Sequence, residues 1–140
     1  IGRLQTNKVK LAVQLFDYIH SVDSKKLAKK IADEQLKLNK KIKIFLQVNI
    51  GDENQKSGVS KSEIHLLASY CKEIGLEVIG LMCIPPLDID PKGHFEEMQK
   101  LNKSLGFTEL SMGMSSDFLI AAEYLSTYVR IGSNIFGKRS

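Results

Sequence analysis

Two short segments near the C-terminal end carry residues whose types and spacing suit them to holding an anion. Leu110-Ser111-Met112-Gly113-Met114-Ser115-Ser116-Asp117 runs from an apolar stretch through a glycine-containing turn into a helix start. Unpaired backbone N–H groups and serine hydroxyls should therefore gather at the positive end of a helix. In Val129-Arg130-Ile131-Gly132-Ser133-Asn134-Ile135-Phe136-Gly137, the bare backbone of Gly132 lets an oxyanion approach, and Ser133 adds a further N–H and hydroxyl. Each segment alone reads more readily as an ordinary cap or turn. Two of them on consecutive elements read as one cradle for a phosphate group. Arg130 lies between Val129 and Ile131, where a guanidinium is costly unless an acceptor meets it. That acceptor is either a buried carboxylate or part of a ligand, its phosphate or a heteroaromatic ring nitrogen.

Other chemistry-bearing residues are sparser. His20, His65 and His94 lie in dissimilar settings, and neither Cys71 nor Cys83 sits at a strand-to-helix turn, so no hydrolase pair of nucleophile and base emerges. The two cysteines lack metal-ligand spacing and are expected to be core thiols. His65 and His94 are expected at the surface, while His20 is either a packed core group or a pocket residue. The polar loop over residues 49–58 lacks the periodicity of a calcium loop. Pairing of Glu53 with Lys56 would order it; alternatively Lys56 acts as a lid or ligand contact. A net charge of +4 comes largely from Lys25, Lys26, Lys29, Lys30, Lys37, Lys40, Lys41 and Lys43. Without interleaved aromatics to stack bases, these lysines suit a solvated helix face better than a nucleic-acid surface.

Positioning such groups takes a framework, and the length of 140 residues suits one domain. A hydrophobic content of 43% with three prolines excludes a disordered or low-complexity chain. No apolar run approaches the roughly 18 residues that span a bilayer, and no secretory signal pattern opens the chain, so a soluble cytoplasmic protein is expected. Strand-like stretches at 16–22, 42–50, 77–84, 107–114 and 127–136 alternate with helical spacing. The helices are marked by Leu27, Ile31 and Leu38; by Ile64, Leu67 and Cys71 after a Ser60-x-x-Glu63 capping box; by Phe95, Met98 and Leu101; and by 117–125, capped by Ser115 or Ser116. The order βαβαβαβαβ predicts a parallel sheet with helices outside. Within 42–50, Ile42, Ile44, Leu46, Val48 and Ile50 share one face, while Lys43, Phe45, Gln47 and Asn49 share the other. A polar inner face argues for a barrel rather than an open sheet, with Gln47 and Asn49 pointing inward near its mouth. Barrels keep a phosphate site in the loops after their last two strands, where the two anion-holding segments fall. Five strands are too few for an eight-stranded barrel, so the N-terminal strands are expected to be absent from these residues.

In these motifs the sequence resembles the pyridoxal phosphate homeostasis proteins. The resemblance rests on Gly2-Arg3-Leu4-Gln5-Thr6-Asn7-Lys8, Gln47-Val48-Asn49-Ile50 with Lys56-Ser57-Gly58, Gly80-Leu81-Met82-Cys83-Ile84-Pro85, Ser111-Met112-Gly113-Met114-Ser115 and Val129-Arg130-Ile131-Gly132-Ser133. It implies an α/β fold, a (β/α)8 TIM barrel of the alanine-racemase N-terminal-domain type, with these residues supplying about strands 4–8. It implies binding of pyridoxal 5′-phosphate (PLP), with Ser115, Gly132 and Ser133 on the phosphate, Arg130 beside the cofactor, and Met112 and Met82 lining the pocket. The family buffers and delivers PLP without an established turnover; apoenzymes that use PLP are the implied recipients, and the intact protein is expected to be a monomer. The family's Schiff-base lysine lies on the first barrel strand, and no lysine here matches it. A PLP-dependent racemase or lyase, or a phosphate-binding barrel enzyme without a Schiff base, are the competing expectations.

Overall fold

The computed structural model describes residues 2–54 and 57–137. Five strands, β1 (Tyr18–Val22), β2 (Lys43–Val48), β3 (Glu77–Cys83), β4 (Glu109–Met114) and β5 (Tyr128–Arg130), form one parallel sheet in the order β1-β2-β3-β4-β5. Helices α1 (Val9–Leu15), α2 (Lys25–Lys37), α3 (Ile64–Glu73), α4 (Lys92–Ser104), α5 (Phe118–Glu123) and α6 (Ser133–Phe136) accompany it. The sheet curls into a half-barrel. Its curvature brings side chains of the two edge strands into contact, Tyr18 of β1 standing 5.9 Å from Tyr128 of β5 between ring centroids.

The two faces of β2 divide as the alternation predicts. Ile44, Leu46 and Val48 join Leu27, Ile31, Ile64, Leu67, Leu81, Cys83, Phe95 and Met98 in the layer between sheet and helices. Burying each such side chain contributes about 1.5–3 kcal/mol, which makes this layer the main source of stability. Phe45 and Gln47 are buried on the concave side instead. The strand is shorter than the expected 42–50, but Ile42 and Ile50 are buried at its ends nonetheless. β3 and β4 approach so closely at Gly80 that a Cβ there would lie 1.9 Å from the Glu109 carbonyl oxygen.

Several local expectations are corrected. Helix α1 was not expected, although Val9, Ala12 and Val13 recur at helical spacing and are buried. Lys40 caps it: its Nζ donates to the carbonyls of Val13, Gln14 and Phe16 at 2.9, 3.3 and 3.2 Å, placing a cation at the negative helix end. The last strand ends at Arg130, and a short helix replaces its expected continuation to residue 136. Ser60 and Glu63 do pair, but side chain to side chain at 2.7 Å, and α3 begins without a side-chain cap. Neither Ser115 nor Ser116 caps α5, because Asp117 occupies the cap position and its Oδ1 accepts from the Met114 N–H at 2.6 Å.

The lysine-rich face is largely engaged within the chain. Lys29 pairs with Asp33, Lys30 and Lys37 share the buried Glu34, and Lys25 lies over the Tyr70 ring. Among the described residues, no helix is long and apolar enough to cross a membrane.

Candidate functional site

The site is built where β4 and β5 end. β4 carries a bulge between Ser111 and Met114, and Gly113 sits in it at φ +98°, a conformation that L side chains rarely adopt. A Cβ there would stand 2.7 Å from the Ala121 Cβ, so the glycine also lets α5 press against the strand. Ser126 ties the bulge down, accepting from the Met112 N–H at 3.2 Å and donating to the Met112 carbonyl at 2.6 Å. The chain then turns Ser115 toward the following loop. Ser115 Oγ accepts from the Gly132 N–H at 3.2 Å and the Asn134 N–H at 3.4 Å, and Asn134 Nδ2 donates to the Ser115 carbonyl at 2.9 Å. The two predicted anion-holding segments are thus joined. Together with Arg130, Ser133 and Phe136 they line a cavity of about 570 Å³. Among the described residues, no atom beyond its two chain neighbours lies within 4 Å of where a Gly132 Cβ would be, so the backbone there faces open space.

Arg130 occupies the floor. Only 8% of it is exposed, so its hydrogen bonds decide its energy. Nη1 donates to Ser111 Oγ at 2.6 Å and Nη2 to the Cys83 carbonyl at 2.8 Å, while Nε is buried without a hydrogen-bond partner among the described residues. Neither bond goes to a carboxylate, so the partner supplied by the protein is neutral. Burial pulls the guanidinium below its ordinary pKa. Ser111 Oγ lies 2.8 Å from His20 Nδ1. The His20 ring packs on Phe45 at 4.1 Å and meets the edge of Tyr128 at 5.3 Å between centroids. Burial and the neighbouring Arg130 charge push the imidazole down to about 4. A second cavity of about 500 Å³ lies beside these groups, lined by His20, Tyr18, Met82, Arg130 and the N-terminal Arg3 and Leu4.

Comparison with known proteins bears directly on this arrangement. The model of the alanine racemase N-terminal domain family matches residues 1–140. A pyridoxal phosphate homeostasis protein of Aquifex aeolicus is 40% identical over 149 residues, covering 99% of this chain and 65% of the relative. PipY of Synechococcus elongatus is 32% identical; its structure without PLP superposes with a TM-score of 0.91, covering 98% of this chain and 69% of PipY. Its structure with PLP bound superposes with a TM-score of 0.84. The chain belongs to the pyridoxal phosphate homeostasis family. It spans just under two thirds of the length of such relatives, 65% of the Aquifex aeolicus protein and 64% of the Vibrio alginolyticus one.

Of the residues that the family resemblance singles out, Ser115, Gly132, Ser133 and Arg130 share one cavity wall. Met82 is on the concave side, in register with Gln47 and Ser111 and lining the neighbouring cavity. Met112 is not brought to the site: it is fully buried in the layer between sheet and helices. Strand parity explains this, since Ser111 faces the concave side and its neighbour must face away. Gln47 points inward with Nε2 donating to the Ser57 carbonyl at 3.5 Å and Oε1 buried without a partner. Asn49 instead braces its own loop, exchanging hydrogen bonds with the Glu53 backbone. Lys56 lies outside the described residues. Cys71 and Cys83 are buried free thiols. Ser111 and His20, which the sequence reading did not join, are 91 residues apart, and no local pattern signals their contact.

Proposed function

We propose that this chain binds PLP and serves in its buffering and delivery rather than in turnover of a substrate. The single observation that carries the reading is the Gly132 N–H to Ser115 Oγ bond, which fuses two loops into one polar wall beside a buried guanidinium. The residues fit such a group. Gly132 leaves room for a phosphate oxygen against the backbone, Ser115 and Ser133 supply hydroxyls, and Arg130 supplies positive charge at the floor. Met82 offers an apolar surface to the pyridine ring on the concave side. When bound, PLP supplies a reactive aldehyde together with its phosphate handle. Ser133, Asn134 and Phe136 are exposed, so the phosphate side opens to solvent and release needs no large rearrangement. On this reading the five strands are the fourth to eighth of an eight-stranded barrel, and PLP-dependent apoenzymes are the recipients of the cofactor from a monomeric, cytoplasmic protein.

Equilibrium dialysis with PLP at neutral pH tests the reading. Gly132→Val places its side chain in open space rather than against the protein, so the thermal melting curve should hold while PLP affinity falls at least tenfold. Inorganic phosphate should compete with PLP for the unmodified chain. Unchanged PLP affinity in a folded Gly132→Val variant would overturn the proposal.

A further inference from the structure

Arg130 borders both cavities, and what holds its guanidinium still decides how it meets a ligand. A serine hydroxyl has one proton to give. Ser111 Oγ already accepts from Arg130 Nη1, so its own proton is available to His20 Nδ1, 2.8 Å away. The chain of donors therefore runs from Arg130 to Ser111 to His20 and needs Nδ1 without a proton. The ring is clamped in that role by Phe45 and Tyr128. We infer that His20 is a positioning residue for the PLP site, acting through Ser111 to fix the orientation of Arg130. This deepens the reading given under Proposed function and rests on it.

The surroundings of His20 make the arrangement one-directional. From its own strand Tyr18 faces it; from β2 the nearest charge is Lys43, whose ammonium lies 5.8 Å from the Tyr18 ring centroid. β3 contributes the Cys83 carbonyl, its thiol lying in the layer between sheet and helices; β4 contributes Ser111 with Glu109 near Tyr128, and Asp117 after it acts on Arg130 through space; β5 contributes Tyr128 and Arg130. The N-terminal segment contributes Arg3 to the shared cavity. Among the described residues, no carboxylate hydrogen-bonds to His20 or Arg130. A proton on Nδ1 would turn the imidazole into a second donor toward Ser111 Oγ and place a second cation beside Arg130, whose one carboxylate neighbour among the described residues, Asp117, acts on it through space without a hydrogen bond. The hydroxyl would then accept from both neighbours and donate to neither, and repulsion between the two cations would loosen Arg130 from Ser111, leaving the Cys83 carbonyl as its firmer acceptor.

The test measures PLP affinity of the chain between pH 4 and pH 8, with thermal melts alongside, for the unmodified protein, His20→Gln, His20→Phe and Ser111→Ala. Removing the acceptor by His20→Phe, or the relay by Ser111→Ala, should weaken PLP binding about tenfold at neutral pH, the scale of one charge-assisted hydrogen bond. In His20→Gln the amide oxygen accepts from Ser111 in place of Nδ1, so affinity should stay within about threefold of the original while the loss of binding toward acid flattens. That rescue separates positioning from simple packing, because Phe restores ring volume and Gln restores the acceptor. His20→Phe binding PLP as well as the unmodified chain, with the same pH profile, would overturn the inference while leaving the parent reading intact. Unchanged binding in Gly132→Val, or no binding by the unmodified chain, would overturn the parent reading and this inference with it.

Discussion

Acidification should destabilise the fold through His20, and the size of the effect follows from the site. The imidazole titrates at about 4 in the folded chain, against an ordinary value of 6.5. Because the folded value lies below the unfolded one, the unfolded chain takes up the proton first. Stability from this group is complete above pH 6.5, falls progressively as the pH drops toward 4, and falls no further below that. At about 1.4 kcal/mol per pH unit the gap sets a ceiling of about 3.5 kcal/mol. His20 lines a cavity open to water, and screening there reduces the expected loss to about 1–2 kcal/mol. Urea unfolding at pH 7, 6, 5 and 4 should show this loss in the unmodified chain. Carboxylate pairs such as Asp33 with Lys29 also weaken in acid, so the measured quantity is the difference from His20→Gln, which lacks the titrating ring but keeps a hydrogen-bond acceptor. Proton NMR of the ring gives the midpoint directly. Identical pH dependence in both proteins, or a midpoint near 6.5, would refute the assignment of a buried, unprotonated imidazole bonded to Ser111.

Two further outcomes follow from the packing around the site. Gly113→Ala forces an L side chain into φ +98° and a Cβ within 2.7 Å of Ala121, which should cost about 2–4 kcal/mol in urea unfolding; adding Ala121→Gly should restore part of the loss, and full stability of the single variant would show that the bulge is not required. Burial pushes both Cys71 and Cys83 up to about 12, leaving about one thiolate in ten thousand at pH 8. A thiol-specific disulfide reagent should therefore label neither cysteine in the native chain, and labelling within the mixing time would place a thiol at the surface.

What the sequence made legible, and what it did not, divides by the range of the interaction. Alternation over Ile44, Phe45, Leu46 and Gln47 is a local consequence of the pleat, and both faces emerged from it. The demand of Arg130 for an acceptor was equally readable, since a guanidinium flanked by Val129 and Ile131 carries its own desolvation cost. The identity of that acceptor was not, because Ser111 and the Cys83 carbonyl are set by strand register. Ser115 shows the same limit in reverse: beside a helix start its hydroxyl reads as a cap, yet Asp117 takes that position and frees Ser115 for the neighbouring loop. Helix α1 had a readable stripe in Val9, Ala12 and Val13, but at seven residues it repeats over barely two turns, too short for the period to stand out. Met112 failed on parity, one residue out of phase with Ser111.

The concave side explains why a cation is buried here at all. Tyr18, His20, Phe45 and Tyr128 meet from three strands on the concave side, with contacting ring centroids 4.1 to 5.9 Å apart. These rings offer the guanidinium no counter-charge, and its field reaches both the cavity beside them and the one between the loops bearing Ser115 and Gly132. Two neutral acceptors, an Nε without a hydrogen-bond partner among the described residues, and a through-space attraction to Asp117 leave that charge only partly compensated in the folded chain. A phosphate placed between the loops would supply the missing counter-charge, and the relief of this uncompensated burial would appear as binding free energy. The same charge adds to burial in disfavouring a second cation at His20, so the unprotonated imidazole and the proposed preference of the loops for an anion both draw on Arg130.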